Sequence, residues 1–350
     1  MGLAVDVKPA SDRVLTPAST DTGIQLWTLT SLARVLLRST VPAQRVTGRR
    51  LLLSVSAAGD VSATIRLLNT ALKHGQLQAQ ELIPVRARLM SLVKDDKHPL
   101  AMVLLAQMLV AEGQHGRALP LLEAATSQLS AAASAPAPAP AEPGSRASDP
   151  GEDADEPAVT PPWTALGNLR LRLGDPQGAR EAFEVGAFKG DDPAAYFYLA
   201  AFEAAHTAAW LEYTTKAAAS GHVEAAFGLG RFYSLPDAEA AAIGDAAVRA
   251  ELRRRDGTGE RRAPLSGRMR WAVEWLSVAA AACHMPSILY SARLAWRLGA
   301  RAEAVAVLNT VLKGDGEVVR EIRKDQAASL WEAQALADEW MGELGGEGPR

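Results

Sequence analysis

Apolar residues fall on a helical period through most of the chain. Ile24, Trp27, Leu29, Leu32, Val35 and Leu36 mark one side of a helix near the start. Val318, Ile322, Leu330, Trp331, Leu336 and Trp340 do the same across residues 317–344, with acidic residues between them. Residues 104–125, LLAQMLVAEGQHGRALPLLEAA, read as two helices joined by a turn at Gly113 and Gly116. A stretch without charge, Trp275 to Ala292, has the length of a membrane span, but His284 and Pro286 interrupt it. The spacing predicts the end of one short helix, a turn and the start of the next, and no transmembrane helix.

Composition sharpens this picture toward helix. Aromatic residues make up only 5% while alanine is abundant, and strands prefer β-branched and aromatic side chains. With 48% hydrophobic and 22% charged residues the chain is expected to fold. A net charge of −3 gives no overall attraction to nucleic acid or to an anionic membrane. Nucleic acid is therefore not expected as a partner, and only a peripheral association with membrane is left open. The single cysteine, Cys283, excludes an internal disulfide and any Cys-based zinc site and reads as a small buried hydrophobe.

Two stretches break the period. Residues 130–162 combine an Ala-Pro run with six acidic residues and one arginine, too little apolar surface to offset the entropy of ordering. This reads as a disordered linker between an N-terminal helical block, 24–129, and a C-terminal block, 163–342, flanked by a disordered start, 1–23, and a flexible tail, 343–350. The second stretch, 236–270, holds Arg253, Arg254, Arg255, Arg261 and Arg262 among Asp256, Gly257, Gly259 and Pro264, and reads as an insertion with a short helix from Ala238 to Arg254. Near the start, Thr22 to Gly59 lacks acidic residues but carries Arg34, Arg38, Arg45, Arg49 and Arg50. That composition fits either a mitochondrial targeting segment, with a mitochondrial location, or the first helix of the domain with a solvated arginine face, compatible with the cytoplasm. Asp6, Asp12 and Asp21 speak against targeting.

Internal repetition decides the fold class. Lys216 to Arg231 and Val278 to Arg293 align at an offset of 62 residues, matching Ala217 with Ala279, Ala218 with Ala280, His222 with His284, and Arg231 with Arg293. Half that offset upstream, Gly190 falls under Gly221 and Ala194, Ala195 and Tyr196 under Ala225, Ala226 and Phe227. A unit of two short helices cannot bury its own apolar face and must stack on its neighbours. The paired alanines let helices approach closely, Trp210, Trp271 and Trp275 are placed to fill the wedges between hairpins, and Gly221 and Gly190 suit the left-handed residue that ends a helix.

The pattern Trp210, Lys216-Ala217-Ala218, Gly221, Ala225, Leu229-Gly230 and Tyr233 resembles the Sel-one-like repeat, a relative of the tetratricopeptide repeat with helices A and B in each hairpin. Trp275, Ala279-Ala280, Ala292 and Trp296 resemble a second copy, and Leu166-Gly167 through Ala182 and Phe183 a third, while 104–125 resembles a plain tetratricopeptide hairpin. The Gly-rich turn usual between the two helices is missing after Tyr233, where the insertion stands. The resemblance implies an all-α fold, an α-solenoid of short helical hairpins closed by a C-terminal capping helix.

The chain shows no phosphate-cradling loop, GxSxG, HExxH or Ca²⁺-loop pattern, and no enzyme, cofactor or metal is expected. The six histidines fall singly; His98, His222 and His284 sit at comparable points before a helix A and read as structural. The expected function is a protein-binding scaffold or assembly factor, in its mitochondrial version serving assembly of a respiratory or translation complex. The alternative is an RNA-associated repeat protein using the arginines of the insertion. Candidate contact residues are Arg231, Arg293, Tyr233 and Trp296. By the resemblance helix A lines the groove, so Arg231 and Arg293 would form a short basic ladder for an acidic helix or tail.

Overall fold

A computed structural model of the chain describes residues 26–134, 159–257, 265–313 and 327–346. Every regular element among them is helical, with no strand, the expected all-α arrangement, and within each compact unit successive helices pack on one another. The chain forms two compact units, Met1–Ala182 and Phe183–Arg350.

In unit 1 the helices are α1 (Leu26–Arg38), α2 (Pro42–Ala57), α3 (Val61–Lys73), α4 (Ile83–Lys94), α5 (Pro99–Ala111), α6 (His115–Ser134) and α7 (Pro162–Arg172). α8 (Pro176–Gly190) crosses the boundary. Each helix from α1 to α7 packs on the next, and α3 and α7 also touch α5, the element at the centre. α5 is apolar on all sides, as a wholly buried helix must be: Ala101, Val103, Leu104 and Ala106 are fully buried. α1 and α2 cross closely because Gly48 has no side chain; a Cβ there would lie 2.9 Å from the Ala33 carbonyl oxygen. Ala33, Leu52 and Val55 of this hairpin are buried in the unit's core, as the first-helix reading of the arginine-rich segment requires.

Unit 2 continues with α9 (Pro193–Ala200), α10 (Ala208–Ala219), α11 (Val223–Tyr233), α12 (Asp237–Ala242), α13 (Ala246–Gly257), α14 (Gly267–Ala281), α15 (Met285–Arg297), α16 (Arg301–Lys313) and α17 (Ala327–Gly346). The A/B hairpins are α9/α10, α11/α14 and α15/α16, with α17 packed on the last. α11 and α14 pair across the whole insertion because Gly230 lies under Leu276, where a Cβ would come within 2.5 Å of Leu276 Cγ. The buried Ser287 hydroxyl donates to the Leu276 carbonyl at 2.8 Å and ties α15 to α14. Ala217, Ala218 and Ala279 are buried as the close-packing argument demands, and Ala280 is half-buried. The charge-free stretch resolves into the end of α14, a turn and the start of α15, and no described helix is long and apolar enough to cross a membrane.

One turn design recurs: a left-handed residue, then an N-cap, then the helix. Gly59, Lys97, Asp191, Gly221 and Cys283 have positive φ two residues before α3, α5, α9, α11 and α15. Asp60, Asp192 and His222 follow three of them and accept the first free amides of the helix.

Several expectations are corrected. The left-handed residue is Asp191, not Gly190, which ends α8; a short polar side chain tolerates that conformation. Cys283 is a half-exposed turn residue at φ 63, standing where the repeat before has Gly221, and not a buried hydrophobe. The compositional break does not divide the core: residues 130–134 are the end of α6, and Leu166 and Leu169 of α7 join the core of unit 1. The units part inside α8 because apolar continuity, not the linker, defines a core. Residues 135–158, the middle of the expected linker, and 1–23 lie outside the described residues. The insertion carries two helices, α12 and α13, and α14 already begins at Gly267. α17 runs to Gly346, beyond the expected limit of 342; residues 317–326, with Val318 and Ile322, lie outside the described residues. Within α17, Trp340 is buried and Trp331 is 77% exposed. Trp210, Trp271 and Trp275 are half-buried, while the wedges are closed by Phe232 and Leu276.

Candidate functional site

The helices α11 and α15 line a cleft of about 500 Å³ in unit 2. Gly228 and Arg231 reach it from α11, Tyr290 and Arg297 from α15, and His206 and Trp210 from the start of α10. Leu235, Pro236 and Glu239, the first residues of the insertion, form a wall. The repeat offset explains the geometry: Tyr290 follows Gly228 and Arg297 follows Leu235 by the same 62 residues, so matched faces of two A helices meet one space.

Aromatic rings build the floor. Phe232, 1% exposed, meets Trp210 edge-on at 5.4 Å and His206 at 5.5 Å. The Ser234 hydroxyl donates to the Arg231 carbonyl at 2.9 Å, so the Tyr290 hydroxyl is the donor in its 2.8 Å bond to Ser234. That bond locks the Tyr290 ring against the C-terminus of α11. Arg231 lies over the Phe227 ring at 5.8 Å and Arg297 over Tyr290 at 5.9 Å. Neither guanidinium has a carboxylate partner among the described residues. His206 holds the left-handed conformation at φ 64, which a non-glycine residue adopts only when its surroundings fix it.

Of the four expected contact residues the cleft contains one, Arg231. Arg293 points to α17, where its Nη2 lies 2.6 Å from Glu332 Oε1, and Arg297, one turn further on, supplies the second cation. Tyr233 is 4% exposed; burial pushes its phenol up while the nearby Arg255 opposes the shift. Trp296 stacks on Trp340 at 4.5 Å, with Arg301 over the Trp296 ring at 5.2 Å, which fixes the capping helix. Sequence reasoning missed Tyr290, Arg297, His206 and Glu239. The signal for the first two was present: Tyr290 is the repeat mate of Gly228, and Arg297 is seven residues on, two turns along the same helical face.

Several arginines of the insertion are engaged locally, while Arg253 is exposed. Arg254 and Arg255 share Glu251 at 2.8 and 2.6 Å, which pulls the Glu251 carboxyl below its ordinary value, and Arg255 lies 3.9 Å over Trp271. Arg249 donates to the carbonyls of Ile243 and Gly244. The buried Arg268 ties the two ends of the insertion together through the Leu235 carbonyl, Asp237 and Asp256. Arg261 and Arg262 lie outside the described residues. Local structure thus engages Arg249, Arg254, Arg255 and Arg268, the first three of them arginines on which the RNA alternative relies.

The three histidines before A helices are N-cap residues, as their spacing suggested. His222 accepts from the Ala225 amide at 3.3 Å and stacks on Phe197 at 4.2 Å. His284 meets Phe227 edge-on at 5.0 Å, and its Nδ1, like that of His98, is buried without a hydrogen-bond partner. Burial lowers the basicity of His222 and His284, with Glu224 opposing it in both and Asp192 in the first. No group of three or more His, Cys, Asp or Glu among the described residues is placed to hold a metal ion.

Fold and cleft together define an all-α protein built of helical hairpins, with an open cleft lined by two A helices of unit 2. No family model matches the chain, and no curated protein does. Among solved structures it is similar to c5321, a protective antigen of uropathogenic Escherichia coli strains displaying an SLR fold, at 17% identity and a TM-score of 0.36, covering 91% of this chain and 69% of that one. It is also similar to a Sel1 repeat protein from Oxalobacter formigenes, at 16% identity and a TM-score of 0.35, covering 92% and 97%.

Proposed function

We propose that the chain is a non-catalytic scaffold that holds a protein partner in the α11/α15 cleft. The observation that carries this reading is two guanidiniums, held over aromatic rings and left without carboxylate partners, lining one opening on consecutive A helices. Arginine and large aromatic residues are the types enriched at interface hot spots, and unpaired guanidiniums beside ring surface leave N–H donors free for a partner. The walls are rigid: one is a helix pair, the other is tied down by Arg268 and by the Tyr290–Ser234 bond. Such a site captures a partner segment without paying to order itself first.

Gly228 gives the test. It is helical, and a Cβ there meets only Thr214 Cγ2 at 3.9 Å, so a larger side chain enters the cleft without disturbing the backbone. A photo-crosslinking residue at Glu239, in the cell of origin, should capture a defined partner, and Gly228→Leu should abolish the crosslink while the circular dichroism spectrum stays helical and the melting temperature does not fall. An unchanged crosslink in the folded Gly228→Leu protein contradicts the reading.

A further inference from the structure

Within the cleft, charge and ring surface are not distributed at random. Arg231 and Arg297 come from matched faces of two A helices, while the single acid, Glu239, comes from the insertion. Each guanidinium is oriented by a ring face, which positions its N–H groups without neutralising them. A carboxylate is the group that completes two such forks, through charge-assisted and bidentate hydrogen bonds. The Trp210 indole and the Tyr290 ring are half-buried and leave ring surface in the opening. A volume of about 500 Å³ matches a ligand of small-molecule size, a few residues of a peptide.

Nucleic acid fits this arrangement poorly. Affinity for a phosphate backbone grows with the number of phosphates neutralised, and two cations beside one acid supply little. Of the described arginines of the insertion, Arg254 and Arg255 are engaged by Glu251 and Arg249 by backbone carbonyls.

We propose that the cleft recognises a short acidic peptide segment: a carboxylate held jointly by Arg231 and Arg297, with a neighbouring apolar or aromatic side chain laid on Trp210 and Tyr290. Glu239 sets the limit of charge, since a second acid placed against the insertion wall would be repelled. This inference rests on the reading of the cleft as the partner site and names the partner's chemistry.

The test uses the full chain and three synthetic peptides with blocked ends: one with two glutamates around a leucine, the same with glutamines, and the same with lysines. Titration calorimetry at low salt should show binding of the glutamate peptide only. Arg231→Ala and Arg297→Ala should each weaken it about tenfold, the value of roughly 1.4 kcal/mol for one charged hydrogen-bonding partner. Raising the salt should weaken the wild type and leave the double variant nearly unaffected. Equal binding of the glutamine peptide, tighter binding of the lysine peptide, or glutamate binding untouched in the double variant overturns the inference. So does tighter binding of a single-stranded RNA oligonucleotide that is lost in the double variant. If the peptide result is negative while Gly228→Leu still abolishes the cellular crosslink, the partner site stands and only its acidic chemistry falls; if Gly228→Leu also fails, the site itself is wrong.

Discussion

The two units solve the same packing problem with different side chains. The buried cluster of unit 1 is made of Leu, Val, Ile, Met and Ala and contains no ring. Unit 2 packs Phe183 on Tyr198, His222 on Phe197, Phe232 on Trp210 and Trp296 on Trp340. The aliphatic side chains of that cluster are buried and give it no polar tip or ring face to present. Phe183 and Phe232 are buried, whereas the half-buried Trp210 and Tyr290 keep ring surface at the opening and, with Arg231 and Arg297, line the cleft. The contrast teaches that stability and recognition are carried by different residues in one repeat architecture.

The largest effect expected from this contrast is in the aliphatic core. Leu104→Ala, at the centre of α5, should cost about 2 to 5 kcal/mol. Trp210→Ala should cost clearly less stability, because the indole is only half-buried, yet reduce partner capture strongly. Denaturant melts compare the two, and an equal loss of stability removes the distinction between core and recognition surface.

Next in size is a pair on one helix. Gly230→Ala forces a methyl group into Leu276 and should cost about 1 to 3 kcal/mol. Gly228→Ala, two residues away, meets only Thr214 Cγ2 at an ordinary contact distance of 3.9 Å and should gain up to about 1 kcal/mol from helix propensity. Equal thermal midpoints for the two variants would mean that α11 does not pack on α14 through Gly230. The alanine pairs sharpen the repeat register in the same way. Ala218→Leu should cost about 1 to 3 kcal/mol by overpacking, and Ala280→Leu, at a half-buried position, distinctly less.

The smallest expected effect is on pH dependence. The folded state lowers the basicity of His222 and His284, so folding favours their neutral forms. The stability this contributes is complete above the ordinary histidine value, about 6.5, and is lost as pH falls below it, when the unfolded chain takes up the proton first. His222→Asn keeps a capping acceptor and removes one titrating group. Its melting temperature should therefore fall less between pH 7 and pH 5 than that of the wild type, and an identical fall would show that His222 does not contribute.

Much of the fold was legible because it rests on periodicity and on small residues. The 62-residue offset placed α11 and α15, the N-cap positions of His222 and His284 and the alanine contacts, all consequences of local geometry repeated along the chain. The unit boundary was not legible, since composition reports where the chain fails to pack and not which helices share a core: Leu166 and Leu169 follow the linker yet complete unit 1. Of the cleft, Arg231 was readable from the repeat. Arg293 and Arg297 sit one turn apart, and the choice between them depends on where α17 and its Glu332 lie, a tertiary fact. Glu239 was hidden because the path of an insertion is set by its anchors, above all the buried Arg268.

Hydrogen exchange of the chain with and without its crosslinked partner, read by mass spectrometry, tests the central claim most directly. The account predicts slowed exchange over residues 206–213, 223–239 and 288–297, with helices α2 to α5 unchanged. Protection confined to unit 1, or to α16 and α17 alone, would contradict it.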